Sequence, residues 1–175
     1  MNEVRYLFVD GYNVINSWEE LRQLKDTDLE EARYKLIDMM IEYVTLKGLE
    51  TYVVFDAHYV KGSFEKREKY KNINIVYTKE GESADCFIEK NIKDMAKKGV
   101  VAVVTSDYLE QRIIFQMGGI RITPSEFLSD IKNSKKTVKE KTTLKYTDKK
   151  NPLEQYIDEK TLRKLEKIRR NLWLV

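Results

Sequence analysis

Three apolar runs in this chain each end in an aspartate: FVDGYN, VVFDA and VVTSD, carrying Asp10, Asp56 and Asp107. If the runs are parallel strands of one sheet, their carboxyl ends share an edge, and that edge is where α/β folds place ligands. A fourth acid, Asp85, sits in ESAD at the expected start of a helix, with Glu82 three residues earlier. Carboxylates gathered in a small space repel one another and take up protons. A hard divalent cation with oxygen ligands offsets that repulsion, and carboxylate plus water ligation suits Mg²⁺ or Mn²⁺. Such an ion binds phosphate, acidifies a bound water and stabilises charge on a leaving oxygen, which is the chemistry of phosphodiester hydrolysis. Asn13 and Ser106 lie beside these acids and are candidates for orienting a water or a carboxylate. Lys61 and Lys79 follow the second and third strands and are candidates for touching substrate phosphate.

Each of these residues also has a plainer reading. An Asp after a strand often caps the next helix, Asn favours turns, and Lys is usually a solvated surface residue. Acids at helix starts, such as Asp85 and Glu82, are favoured by the helix dipole. It is the repetition after successive strands that points to a site. Other chemistries find less support. His58 is the only histidine and has no identifiable Ser or Cys partner, and Cys86 reads as a packed thiol on its helix. Neither G-x-G-x-x-G nor a P-loop is present to cradle a dinucleotide or a nucleoside triphosphate. A haloacid-dehalogenase-like phosphatase would want D-x-D, whereas Asp10 is followed by Gly11 and Tyr12.

The elements that must position the acids follow from periodicity. VRYLFV, TYVVF, INIVY, VVAVV and IRIT read as short buried strands. Asp10-Gly11 reads as a turn. Between the first two strands, LEEARYKLIDMMIEYVTLK has helical spacing, with Asp28 at its start and Gly48 at its end. Ser83 is placed to cap ADCFIEKNIKDMAKK, a helix spans roughly Tyr108 to Met117, and Pro124 opens a short helix, PSEFLSDIKN. Residues 133–150 are Lys/Thr-rich and are expected to pair as an edge strand or lie extended, and residues 152–170 read as a closing amphipathic helix. Strands alternating with helices predict an α/β fold with a central, mostly parallel sheet of four to five strands between helices.

Composition sets the class. The 175 residues suit one domain with a short extension, and 42% hydrophobic with 35% charged residues is a globular balance. No apolar run reaches the roughly 20 residues of a membrane span, and one cysteine makes no internal disulfide. The N-terminus lacks the order of a signal peptide, so a cytoplasmic protein with no membrane partner is expected. The net charge of +3 hides an asymmetry. Residues 132–175 hold 14 Lys+Arg against 6 Asp+Glu, a balance of +8, while residues 1–131 carry −5. The expected division is therefore an enzyme domain over 1–131 and a basic extension with a closing helix over 132–175, packed on or near it. A basic extension on an acidic body suggests a polyanionic partner, with Lys135, Lys136, Lys139 and Lys141 as contacts.

LFVDGYNVINSW, VVFDAHYVKG, YTKEGESADCFIE and VTSDYLEQ, in this order and spacing, resemble the YacP-like family of bacterial NYN-domain ribonucleases, part of the PIN-like superfamily. The resemblance spans essentially the whole chain. It implies an endoribonuclease that associates with the ribosome and cuts mRNA there, with no DNA substrate expected. It maps the acidic, metal-holding site onto Asp10, Asp56, Asp85 and Asp107, strengthens Asp85, and includes Asn13, Lys61, Glu82 and Ser106 in its matched segments. The rival readings are a non-catalytic RNA- or ribosome-binding module and a toxin-type PIN ribonuclease acting on free RNA.

Overall fold

The computed structural model describes residues 4–56, 65–147 and 161. The order is β1 (Val4–Asp10), α1 (Gly11–Ser17), α2 (Glu19–Thr27), α3 (Leu29–Lys47), β2 (Glu50–Phe55), β3 (Lys66–Tyr70), β4 (Ile73–Tyr77), α4 (Ala84–Met95), β5 (Val100–Val104), α5 (Tyr108–Gln116), β6 (Gly119–Ile122) and α6 (Pro124–Thr147). The chain divides into two compact units, residues 1–135 and 136–175.

The first unit is built on a six-stranded sheet in the order β3-β4-β2-β1-β5-β6. All neighbouring pairs are parallel except β3 with β4. The α/β class is as expected, but the sheet is mixed and has one strand more than the four to five expected. The extra strand, β3, reads KREKY and is almost wholly exposed. An edge strand defended by charge has no apolar alternation to reveal it.

The central strands read as continuous apolar runs because both faces of the sheet are covered. Side chains alternate between two cores. Leu7 and Val9 of β1, Val53 and Phe55 of β2, and Ala102 and Val104 of β5 join the core under α1, α3 and α6. Tyr6 and Phe8, Val54, and Val101 and Val103 join the opposite core under α4 and α5. Fully burying each large apolar side chain contributes about 1.5–3 kcal/mol.

The segment after Asp10 is not a turn. Two helices, α1 and α2, run directly from the end of β1 and break at Trp18. The Trp18 indole donates to the Pro124 carbonyl at 2.8 Å and its ring lies 6.0 Å from that of Phe127, so the break is pinned to the start of α6. The α3 boundaries are the anticipated ones. Asp28 accepts from the Glu31 N–H at 2.9 Å, and Gly48 ends the helix at φ 62°, a left-handed conformation open to glycine.

Two further expectations are corrected. The helix begun at Pro124 is long rather than short, since α6 continues to Thr147, so residues 133–147 are neither an edge strand nor extended. No Gly or Pro interrupts this stretch, and Thr123 and Glu126 close its start reciprocally. Cys86 is exposed rather than packed, because Ala84, Phe87 and Ile88 take the inward positions of α4. The expected closing helix over 152–170 lies outside the described residues apart from Thr161, which is helical. Among the described residues, no helix is long and apolar enough to cross a membrane.

Candidate active site

The last residue of β1, Asp10, is also the cap of α1. Its Oδ1 accepts the Asn13 backbone N–H at 2.9 Å, and its Oδ2 accepts from Asn13 Nδ2 at 2.6 Å. The capping reading and the site reading of Asp10 therefore both hold. The residue is only 5% exposed. Burial pushes its carboxyl up to about 6 from an ordinary 3.8. The two Asn13 bonds pull the other way, while the charge of Asp85 and a hydrogen bond with it add to the rise.

Asp85 reaches that position from the first turn of α4. Ser83 caps this helix as anticipated, its hydroxyl accepting the Cys86 N–H at 3.2 Å. One Asp85 oxygen, Oδ1, is buried and has no hydrogen-bond partner among the described residues. Such a group costs free energy unless something not yet bound satisfies it. Asp56 arrives from the neighbouring strand. Asp10 is in register with Val54 of β2, so Asp56 lies two residues further along the same edge.

Asp10, Asp56 and Asp85 line one open cleft of about 230 Å³ together with Tyr12, Asn13, Asn16 and Ala84. No side chain has room at Gly11, beside the cleft residues Asp10 and Tyr12. A Cβ there would fall 2.2 Å from Phe55 Cε1, and the Phe55 ring is fully buried and held in the core. Arg33 of α3 firms the wall. Its guanidinium lies over the rings of Tyr12, Phe55 and Tyr77 at 5.5, 5.7 and 5.8 Å, and its Nε donates to the Tyr12 hydroxyl at 3.0 Å.

The remaining candidates are distributed differently. Ser106 enters indirectly, its hydroxyl donating to Asn13 Oδ1, while its carbonyl accepts from Arg121 at 3.1 Å. Asp107 is half-buried at the same sheet edge but is not part of the cleft lining, and its N–H donates to Thr105 Oγ1 at 3.0 Å. Glu82 is buried, forms an ion pair with Lys90 and is not among the described residues of the cleft lining. Lys79 is exposed. Lys135 is half-buried and Lys136 exposed on α6, whose backbone also carries Lys139 and Lys141. Lys61 and His58 lie outside the described residues. Sequence reasoning missed Tyr12, Asn16 and Arg33. Asp10, Asn13 and Asn16 recur at three-residue spacing, a helical signal masked by reading Asp10-Gly11 as a turn.

The donor set is all oxygen. Among the described residues no three acids are gathered closely enough to form a ready metal cage. The arrangement is instead an open pair, Asp10 with Asp85, with Asp56 on the same cleft. That fits the coordination habit of Mg²⁺, which commonly takes one or two carboxylates and completes its shell with water and substrate phosphate.

The sequence profile of the YacP-like NYN domain matches residues 7–170. The uncharacterized protein YacP of Bacillus subtilis (strain 168) is 39% identical over 165 residues, covering 94% of this chain and 96% of that protein. Two crystal structures of Rae1 (YacP) from Bacillus subtilis are similar to this one. A tryptophan-to-leucine mutant matches with a TM-score of 0.70 at 35% identity, over 87% of this chain and 89% of that one. The other matches with a TM-score of 0.65 at 36% identity, over 95% of each chain.

Proposed function

The chain belongs to the YacP-like NYN domain family, a PIN-like, nuclease-type fold, and from that premise we propose that it is a divalent-metal-dependent endoribonuclease that cuts mRNA in association with the ribosome. The observation that carries the reading is buried Asp10 set against half-buried Asp85 in an open cleft, with one Asp85 oxygen lacking a partner among the described residues. PIN-like nuclease domains generally use divalent metals, and these residues fit one. Asp10 and Asp85 would hold Mg²⁺ or Mn²⁺, with Asp56 reaching it directly or through water. When bound, the ion supplies charge against the phosphate and a water of lowered pKa.

The protein's own groups do the positioning. Asn13 fixes both oxygens of Asp10, and Ser106 fixes Asn13, so the cleft's most buried acid is oriented before any ligand arrives. Arg33 holds the Tyr12 wall. The ribosome association is supported by the basic balance of residues 132–175 and by the family resemblance of the whole chain, with Lys135 and Lys136 as phosphate contacts. The test is purified protein with naked and with translating mRNA, each with Mg²⁺ or Mn²⁺ and with a chelator. Metal-dependent internal cuts, enhanced on translating mRNA, are expected. RNA binding with no cut under any condition would favour the non-catalytic module, and equal cutting of naked RNA would favour the free-RNA ribonuclease.

A further inference from the structure

A second cavity adjoins the acidic cleft. It has a volume of about 190 Å³, is lined by Tyr12, Asn16, Lys25 and Leu29, and shares Tyr12 and Asn16 with the cleft. We infer that this cavity is a nucleotide subsite, taking one unit of a single-stranded RNA next to the bond that is cut, with Lys25 on its phosphate. The inference rests on the proposed nuclease reading for what lies in the neighbouring cleft.

The chemistry of the two compartments is complementary along a short path. Among the described residues the cleft presents three carboxyl groups, whereas the cavity has no acid in its lining and presents an ammonium, an amide, a phenol and an aliphatic side chain. A polyanion chain crossing an acidic, metal-holding centre needs a cation on at least one flank to set its register. Lys25 is half-buried, and its Nζ donates to Asn16 Oδ1 at 2.8 Å. That bond aims the ammonium at the boundary between the compartments, and an ammonium has two more donors to give a phosphate. Lys25 also lies in the last turn of α2, where the helix dipole favours a cation.

The walls are rigid in the way a positioning site requires. Tyr12 is packed edge-on against Phe55 at 5.2 Å and held by Arg33, and Leu29 opens α3 immediately after its Asp28 cap. At about 190 Å³ the cavity lies below the roughly 300–1,000 Å³ of pockets for drug-sized ligands, so it takes part of a passing chain, the phosphate and adjoining portion of one nucleotide unit, rather than enclosing a separate ligand. A single phosphate contact with a ring and an aliphatic wall reads no base identity, so the subsite fixes direction and distance along the RNA rather than sequence.

The test uses full-length wild-type protein in chelator, where no cleavage occurs, binding a labelled ten-nucleotide single-stranded RNA across a salt series. Lys25→Gln is expected to weaken binding about fivefold and to lower the slope of log K against log salt by about 0.7, the loss of one phosphate contact on a single strand. Lys25→Arg should restore most of the affinity, and Leu29→Asp, which places an acid in the cavity, should weaken binding at least as much as Lys25→Gln. With metal present, the cleavage defect of Lys25→Gln should fall mainly on KM, with kcat within about twofold. Unchanged affinity and salt slope in both Lys25→Gln and Leu29→Asp overturn the subsite, as does an absence of RNA binding by the wild type. If the wild type binds but never cuts, while Lys25→Gln still loses affinity and slope, the nuclease reading fails and the subsite stands.

Discussion

Asp10 and Glu82 are the two buried acids among the described residues, and each stands at the approach to a helix that follows a strand. Glu82 is met by Lys90 from the helix it precedes, and the turn behind it is tied by the Thr78 hydroxyl donating to the Glu82 carbonyl at 2.6 Å. Asp10 is placed otherwise. It has the Asn13 amide on one side and another acid, Asp85, on the other. Burial alone therefore does not mark a functional carboxyl. An acid whose charge is answered inside the fold already has its partner, whereas one set against a second acid gains from a cation, as the proposed function requires.

The sharpest way to break this contrast is by neutralisation. Asp10→Asn and Asp85→Asn should each lower RNA cleavage by at least about a hundredfold while the fold persists. Gel-based cleavage rates with circular dichroism check this, and near-wild-type rates in both variants would remove the pair from the mechanism. Next in size is Gly11→Ala, which drives a methyl group into the buried Phe55 ring. Overpacking of that kind costs about 1–3 kcal/mol, read as a lower urea midpoint, and cleavage should fall as the Asp56 end of β2 is displaced.

The third test uses pH. Asp10 is raised to about 6 in the folded protein from an ordinary 3.8. The native state therefore binds more protons than the unfolded state between these values, and stability of the metal-free protein falls as pH rises through that window. The full loss, up to about 3 kcal/mol, persists above it. Chemical denaturation from pH 4 to pH 8 should show that slope in the wild type and a flatter one in Asp10→Asn. The smallest effect belongs to Glu82→Gln. It should cost about 1 kcal/mol of stability and leave cleavage within about threefold, because the Lys90 end of the pair is exposed and Glu82 is not part of the cleft lining.

Much of this arrangement is legible in the amino-acid sequence itself. The strands announce themselves as apolar runs because both sheet faces are covered, and Asp28, Gly48 and Ser83 mark helix ends by their capping chemistry. Asp10 and Asp56 could be placed at one edge from their positions after strands. Other features could not be read. KREKY hides as a charged edge strand, and Gly11 disguises the start of a helix as a turn because its role is close approach to Phe55. Glu82 finds Lys90 at a separation of eight residues, outside the i, i+4 pairing visible in a helix pattern. Strand ends set the level of an acid only coarsely: Val104 is in register with Val9, so Asp107 comes three residues beyond that level where Asp10 comes one.

The most direct measurement is Mn²⁺ binding to the purified protein, followed by calorimetry at pH 7.5 for the wild type and for Asp10→Asn, Asp85→Asn and Glu82→Gln. The account predicts binding by the wild type and by Glu82→Gln, with affinity reduced at least about tenfold in each aspartate variant. No binding by the wild type, or equal binding by all four proteins, would contradict it.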